Sequence, residues 1–368
     1  MTRPTHSRVR RTTIKDVARA AGVSITTVSF VLNNVEGVSI SPETRERVQE
    51  AAAGLNYRPN AAAATLRTNR THTIGFITDY IAASAFAGDI ILGAQQAAWE
   101  AGQLLTIIHT GDDPDVTTAA IQMLIQRQVD GIICSTLAHR VYQPPEIVRQ
   151  TPTVLLNCAA PDDSYPAVVP DEVQGGYLAT RALVAAGHRR IGFLNFHNTD
   201  EFAGGHPPEQ GRLAGYRQAL AEVDAPFDPD LVVPAGFEVG DGYAAARALL
   251  EREPDLTALF CGNDRMAMGA YYAVAETGQQ IPDDVSVVGF DDQVLLSANL
   301  RPGLSSVALP FEELGREAVR RLHTAGDDAC APAKTLVPCR YVARQSIAAA
   351  RQAPPPTGLR RRKEAAEP

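Results

Sequence analysis

The chain lacks the features that would place it among membrane, exported or nucleotide-binding proteins. None of its apolar runs reaches the roughly eighteen residues that a membrane-spanning helix needs. No apolar segment follows the basic N-terminus, so we expect no signal peptide and a cytoplasmic location. The glycine patterns of dinucleotide and phosphate loops are missing after every apolar run that resembles a strand. We therefore predict no cofactor and no enzymatic activity.

Cysteine is also scarce, and its spacing excludes a metal site. The five cysteines are Cys134, Cys158, Cys261, Cys330 and Cys339. No pair has the spacing of zinc ligands, so we predict no metal. Three of them lie in or at the end of apolar runs, which favours buried, reduced thiols.

The charge is unevenly distributed along the chain. The net charge is −8, yet residues 1–72 carry 11 Lys and Arg against 5 Asp and Glu. Residues 73–350 carry 18 against 35, and residues 351–368 carry 5 against 2. A basic head on an acidic body can bind phosphates locally while the body limits nonspecific adhesion to nucleic acid.

Residues 13–33 predict two short helices joined by one tight turn. The apolar positions of the first helix recur at helical spacing and are Ile14, Val17, Ala18 and Ala21. Thr13 and Asp16 have the spacing of a capping box, and Gly22 suits the left-handed end of the helix. Ser24 would cap the second helix, whose buried side would be Val28, Val31 and Leu32. Such a pair is a helix-turn-helix, whose second helix lies in a DNA major groove.

A third helix is predicted at 42–56, with Ser41 as its cap and an inner face of Val48, Ala52 and Leu55. The alanine-rich stretch after Tyr57 favours a helix but is too short to be stable alone in water. We therefore expect that helix to form only when something supports it.

From residue 71 the pattern changes to apolar runs that alternate with amphipathic segments. The runs lie at 73–78, 104–108, 131–135, 153–157, 190–195, 230–234, 257–261 and 284–290. The helical segments lie at 89–101, 115–127, 172–186, 211–222, 241–251 and 264–277. This alternation predicts parallel sheets covered by helices, and eight strands favour two lobes with a ligand cleft between them.

Several motifs together resemble the LacI/GalR family of bacterial transcription regulators. They include Thr-Ile-Lys-Asp-Val-Ala at 13–18, Asn-Tyr-Arg-Pro-Asn-Ala at 56–61, Gly-His-Arg-Arg-Ile-Gly at 187–192 and Val-Val-Gly-Phe-Asp-Asp at 287–292. The resemblance covers roughly 12–348. It implies a small all-α helix-turn-helix domain before an α/β core of two Rossmann-like lobes, of the periplasmic-binding-protein-like type I.

The implied organisation has five parts. They are a disordered basic arm (1–11), a helix-turn-helix domain (12–58), a hinge helix and linker (59–70), a two-lobed effector-binding and dimerisation domain (71–348) and a disordered tail (349–368). The first lobe would comprise 71–160 and 303–333, and the second would comprise 161–302 and 334–348.

The resemblance also implies which residues bind DNA. The predicted set is Ser24, Ile25, Thr26, Thr27, Ser29, Phe30, Asn33, Tyr57, Asn60, Ala61 and Leu66. Ile25, Thr26 and Phe30 would face the bases, with core packing of Phe30 as the alternative. Leu66 matches the leucine that wedges into the minor groove in the family, with packing on the first lobe as the alternative.

For the effector, the resemblance implies Phe86, Asn157, Arg212, Phe237, Asn263 and Asp291. A carboxylate accepts two hydroxyl hydrogen bonds and an Arg fork donates two, so the set suits a polyol ring. The alternative for Arg212 and Asp291 is a structural salt bridge between the lobes. Asp171 and Asp264 would cap helices, and His188 would close a helix as a cation rather than catalyse a reaction.

The sequence therefore predicts a homodimeric repressor that binds a near-palindromic operator in double-stranded DNA and is controlled by a small molecule in the cleft. A sugar is the first choice of effector and a purine or nucleoside the second. The alternatives from other classes are a sugar solute-binding protein and a sugar kinase fused to a DNA-binding head.

Overall fold

The computed structural model describes residues 12–33, 35, 37–58, 70–81, 84, 88–111, 113–196, 207–324 and 334–351. The chain divides into two compact units between Thr71 and His72. We call residues before this point the head and those after it the body. Almost all of the predicted hinge, at 59–69, lies outside the described residues.

The described part of the head contains three short helices. They are α1 (Ile14–Ala21), α2 (Ile25–Leu32) and α3 (Pro42–Gly54). Their core consists of Val17, Ala18, Ala21, Val28, Val31, Val48 and Ala52, with Ile14 and Leu32 packed against it. These are the predicted inner faces, with one exception. Leu55 is 38% exposed because α3 ends at Gly54 and Leu55 is only its C-cap.

The ends of these helices are fixed by local hydrogen bonds, which is why so short a segment can hold its shape. The Asp16 carboxylate accepts the Thr13 backbone N–H at 3.0 Å. Gly22 has a φ of +66°, the left-handed conformation that a side chain would strain. Ser41 accepts the Thr44 N–H at 3.2 Å at the start of α3.

Within the residues that the structure describes, twelve strands in two six-stranded sheets form the frame of the body. The first sheet contains β1 (Thr73–Thr78), β2 (Leu104–His109), β3 (Gly131–Val141), β4 (Thr153–Ala159), β5 (Ala167–Pro170) and β11 (Lys334–Val337). The second contains β6 (Gly192–Phe196), β7 (Val232–Ala235), β8 (Ala258–Cys261), β9 (Ser286–Asp291), β10 (Ser305–Ala308) and β12 (Arg340–Val342).

The strand orders are β11-β5-β4-β3-β1-β2 and β12-β10-β9-β8-β6-β7. All described pairings are parallel except that of β10 with β12. Strands buried on both faces explain why the sequence shows continuous apolar runs rather than alternation.

Seven helices of 13 to 15 residues and one helix of a single turn accompany these sheets in the described part of the body. They are α4 (Gly88–Glu100), α5 (Pro114–Gln126), α6 (Glu172–Ala185), α7 (Pro207–Ala221), α8 (Val239–Arg252), α9 (Asp264–Glu276), α10 (Val294–Ser297) and α11 (Phe311–Thr324). None of the helices in the described ranges has both the length and the apolar character needed to cross a bilayer.

The two lobes are built on these two sheets, and their boundaries differ from those expected. Strand β5 (167–170) belongs to the first lobe rather than the second, and β10 (305–308) belongs to the second rather than the first. Strand β11 (334–337) returns to the first lobe. These three strands are short and contain no long apolar run, so the sequence pattern did not distinguish them from the loops that connect longer strands.

The body continues past the predicted start of the tail. The Ala350 N–H donates to the Ala186 carbonyl at 2.8 Å, so the segment up to Arg351 is bound to the second lobe. The four described cysteines are free and buried, as predicted, and burial raises the pKa of the Cys134 and Cys261 thiols. Cys330 lies outside the described residues.

Candidate functional site

The predicted recognition helix α2 uses much of its polar surface to fix its own ends. Ser24 accepts the Thr27 N–H at 3.0 Å, and the two hydroxyls lie 2.8 Å apart. At the other end the Asn33 Nδ2 donates to the Ser29 carbonyl at 2.7 Å. The Ser24 hydroxyl therefore caps the start of α2 and the Asn33 amide caps its end, while the DNA contacts of these four residues stay predictions.

The remaining predicted DNA contacts differ in exposure. Ile25 is 44% exposed, Thr26 is exposed and Phe30 is half-buried, so the first two are the most accessible positions on α2. Tyr57 packs against the core of the head, and burial raises its pKa. Asn60, Ala61 and Leu66 lie outside the described residues, so their predicted roles stay predictions.

In the body, a cavity of about 370 Å³ lies where the two lobes face each other. Five of the six predicted effector residues line it: Asn157, Arg212, Phe237, Asn263 and Asp291. Each stands at or just after the carboxyl end of a strand or near the start of a helix, the usual place for ligands of open α/β sheets. The sixth, Phe86, lies outside the described residues. We call this cavity the cleft.

Arg212 is the most tightly held of these residues. It is 3% exposed, its Nε donates to Glu172 Oε2 at 2.7 Å, and its Nη1 donates to the Gly262 carbonyl. Its guanidinium carbon lies 3.5 Å from the centre of the Phe290 ring. A guanidinium has five N–H donors, so these contacts do not exhaust its capacity for a ligand.

Close packing of α6 and α7 places Arg212 beside Glu172. A Cβ on Gly176 would lie 2.3 Å from the Arg212 carbonyl oxygen, and one on Gly215 would lie 2.1 Å from the Val173 carbonyl oxygen. Only glycine allows the two helices to approach so closely. The first turn of α6 therefore presents its carboxylate directly to the guanidinium on α7.

The two carboxylates beside Arg212 have opposite pKa shifts. Burial opposes the ionisation of Glu172, but Arg212 and His139 outweigh it and lower the pKa of Glu172 to about 2. Asp291 Oδ1 lies farther from Arg212, 3.8 Å from Nη2, and burial raises its pKa to about 6 despite Arg212. Glu172 is therefore held as a carboxylate beside Arg212, whereas Asp291 takes up a proton more readily, at a pH of about 6.

Two of the lining residues have left-handed backbone conformations. Asn157 has a φ of +58° and Asp291 a φ of +92°. Asn tolerates this region, but an Asp at +92° is strained, and strain of this kind concentrates at binding sites. The Asn157 amide donates to the backbone carbonyls of Thr136 and Leu137 at 3.0 and 2.9 Å, so part of its role is to hold the middle of β3, where the pairing with β4 shifts register.

One wall of the cleft is aromatic. The Phe237 and Phe196 rings stack with centroids 4.8 Å apart. Asn263 supports this wall because its Nδ2 donates to the Phe237 carbonyl at 3.1 Å. The Asn263 Oδ1 accepts the Met266 N–H at 2.7 Å and so caps α9.

Sequence reasoning missed the charged lining residues Glu172, Glu238 and Arg265 and the imidazole of His139. Glu172 is 5% exposed, and its Oε1 lies 3.3 Å from Nδ1 of His139. His139 belongs to the first lobe and Glu172 to the second, so this is the contact between lobes, whereas Arg212 and Asp291 both belong to the second. The sequence did carry a signal for Glu172. An acidic residue that begins a helix directly after β5 must lie at the carboxyl edge of the sheet.

Two other predicted roles are corrected by the geometry, and one is confirmed. Asp171 caps α6 by accepting the Gln174 N–H at 2.9 Å, as predicted. Asp264 does not cap, since Asn263 does, and it instead accepts hydrogen bonds from Ser306 and the Gln293 backbone. The role predicted for His188 as a cation at a helix end is wrong. Its side chain is only 3% exposed, and burial lowers its pKa, which favours the neutral imidazole.

Comparison with known proteins agrees with this architecture. Residues 13–60 match the model of bacterial regulatory proteins of the lacI family, and residues 71–345 match that of periplasmic binding proteins and the sugar binding domain of the LacI family. The ribose operon repressor of Haemophilus influenzae is 35% identical over 84% of this chain and 90% of its own length. The HTH-type transcriptional repressor PurR of Klebsiella pneumoniae is 36% identical over 84% of this chain and 89% of its own.

Solved structures give the same result. The Lac repressor dimer bound to operator and the anti-inducer ONPF aligns with a TM-score of 0.72 at 26% identity, covering 92% of this chain and all of that one. The complex of the transcriptional regulator CelR with cellobiose aligns with a TM-score of 0.62 at 31% identity, covering 91% and 100%. The predicted family and fold class are thus confirmed, and this chain belongs to the LacI family of bacterial transcriptional regulators.

Proposed function

We propose that this regulator is a homodimeric repressor that releases or tightens its operator when a neutral sugar binds in the cleft. The observation that carries the proposal is the charge of the cleft around Arg212. The lining holds three carboxylates, on Glu172, Glu238 and Asp291, against two guanidiniums, on Arg212 and Arg265, so an anionic ligand such as a sugar phosphate would gain no net attraction. Neutral hydroxyls can donate to Asp291 and accept from Arg212.

The size and shape of the cleft support a sugar. A cavity of about 370 Å³ falls in the range of small-molecule sites. The stacked Phe196 and Phe237 rings offer an apolar face for the C–H side of a pyranose, while the carboxylate and guanidinium offer directional hydrogen bonds. CelR, whose structure contains cellobiose, shares this fold.

A purine or nucleoside is the second candidate. The same aromatic wall could stack on a planar base, and several relatives of this chain are named PurR. The solute-binding alternative does not explain why residues 13–60 match the helix-turn-helix model of the lacI family.

The head supplies the DNA contacts in this proposal. Exposed Ile25 and Thr26 would meet base edges in the major groove, and Leu66 would wedge into the minor groove beside them. Operator binding would place the protein in the cytoplasm with the DNA. Two heads from one dimer would read the two halves of a near-palindrome.

A surface on the first lobe fits the second copy. Leu92 and Trp99 on α4 are 47% and 72% exposed, and Ile107 on the edge strand β2, on the same side of the sheet as Leu105 of the α4 core, is 39% exposed. Large apolar side chains grouped in this way mark an interface. We assign this surface, which we call the α4–β2 face, to the homodimer.

The test is a calorimetric titration of the full chain with neutral aldoses, a cellodextrin, sugar phosphates and purine bases. The proposal expects saturable binding of a neutral sugar and a loss of at least tenfold in affinity in Asp291→Asn. Tight binding of a purine alone would replace the sugar proposal by its alternative. Binding that is equal in Asp291→Asn would show that the cleft is not the effector site.

A further inference from the structure

A second cavity lies within the first lobe and shares no lining residue with the cleft. Its volume is about 130 Å³, and it lies at the carboxyl ends of β1, β2 and β3 beside the start of α5. Its polar lining includes Thr78, Asp79, Thr110, Thr117, Ser135 and Arg140. We call it the first-lobe cavity.

The charges in this cavity balance each other. Asp79 is 7% exposed, and its Oδ2 lies 3.3 Å from Nη2 of Arg140. The Asp79 Oδ1 accepts the Leu137 N–H at 2.8 Å, which ties the carboxylate to the middle of β3. A ligand with a net charge would have to oppose one member of this pair, whereas a neutral ligand could use both.

Two buried hydroxyls in the lining have no hydrogen-bond partner in the described structure. They belong to Thr78, which is 0% exposed, and Ser135, which is 4% exposed. Thr110 and Thr117, which line the same cavity, are paired with each other at 3.0 Å. Buried polar groups nearly always have partners, so the Thr78 and Ser135 hydroxyls point to an occupant that the protein alone does not supply.

The strand β3 contributes residues to both cavities. Residues 134–136 and Arg140 line the first-lobe cavity, and residues 137–139 line the cleft. The pairing of β3 with β4 shifts register between Ser135 and Arg140, so the regular alternation of faces is interrupted here. The two cavities therefore use different side chains of one strand, and binding in the first-lobe cavity involves none of the residues that line the cleft.

We propose that the first-lobe cavity is a second binding site for a small uncharged polyol of three or four carbons. The cavity volume of about 130 Å³, against about 370 Å³ for the cleft, suits a smaller molecule than the sugar ring proposed for the cleft. Each hydroxyl of a polyol both donates and accepts, so it can pair with Thr78 and Ser135 and also with the Asp79–Arg140 pair. This site stands independently of the proposed function.

The experiment titrates the full-length protein with erythritol and with glycerol and follows binding by saturation-transfer NMR of the ligand. The proposal expects saturable binding that weakens at least tenfold in Ser135→Ala and in Thr78→Val. Two variants are used because either buried substitution could impair folding, which circular dichroism would report. Thr118→Val, also on α5 but outside the lining, is the matched control and should bind as the wild type does.

Asp291→Asn separates the two cavities. Erythritol binding should be unchanged in this variant, because Asp291 lines only the cleft. The proposal is overturned if the wild type shows no saturable binding, which would mean that the cavity holds water only. It is equally overturned if binding is lost in Asp291→Asn but kept in Ser135→Ala, which would place erythritol in the cleft.

Discussion

Replacing Glu172 with glutamine tests the arrangement on which the cleft depends. The substitution keeps the size of the side chain and removes the charge that lies 2.7 Å from the Arg212 guanidinium. A pKa of about 2 instead of 4.5 corresponds to about 3 kcal/mol in favour of the ionised form at 1.36 kcal/mol per pKa unit. Breaking a buried ion pair by removing one partner costs about 3–5 kcal/mol, so both routes give a similar loss.

The measurement is the thermal unfolding of the body in full-length protein at pH 7. A loss of about 3 kcal/mol should lower the melting temperature by about 6–12 °C in a domain of this size. Glu251→Gln is the matched control. Glu251 is paired with Arg247 on an exposed face, and its side chain is 61% exposed, so its substitution should cost less than about 1 kcal/mol.

The stability that Glu172 contributes depends on pH in a definite direction. The pKa of Glu172 is lower in the folded than in the unfolded state, so its contribution is complete above pH 4.5 and is lost as the pH falls toward 2. The difference between wild type and Glu172→Gln should therefore be largest near neutral pH and shrink below pH 4.5. Equal melting temperatures for Glu172→Gln and Glu251→Gln at pH 7 would refute the reasoning.

Four further predictions follow from other contacts. Effector affinity should fall as the pH drops below 6, where Asp291 takes up a proton, and calorimetry from pH 7.5 to 5 should show no such fall in Asp291→Asn. Gly176→Ala should lower the melting temperature of the body, because its Cβ would strike the backbone of α7, while Gly240→Ala, with open space around it, should not. Because burial lowers the pKa of His188, its contribution is complete above pH 6.5 and lost below it, so wild type should lose more stability than His188→Gln between pH 7.5 and 5.5. Ser24→Ala should destabilise the head by about 0.5–2 kcal/mol, measured by the loss of helical circular dichroism in urea.

Periodicity in the sequence was enough to predict the head. Its caps and apolar faces lie within 42 residues of chain, where local chemistry decides the structure, and Ser24, Gly22 and Ser41 all perform their expected roles. The error at Leu55 arose at a helix end, where one residue more or less changes a side chain from buried to exposed.

The lobe boundaries were harder to predict, because they depend on pairing between distant strands. Strand β11 pairs with β5, which lies more than 160 residues earlier, and neither has a long apolar run. The pattern of a single sequence carries no information about which strands pair across such a distance. Topology therefore had to come from the structure.

The candidate site was predictable where family motifs mark it and missed where they do not. Asp291 and Asn263 follow strands within recognisable motifs, and both line the cleft. Glu172 was missed because an acid in the first turn of a helix is common for reasons of the helix dipole alone. Its function is visible only once α6 and α7 are seen to pack through glycine.

The most direct test of the account is the affinity of the full-length protein for its own operator, selected from genomic fragments, with and without the sugar that binds the cleft. Fluorescence anisotropy should show a change of about 5–150-fold in operator affinity in wild type and none in Asp291→Asn. An operator affinity that stays the same at a saturating concentration of the cleft ligand would contradict the claim that the cleft controls the head.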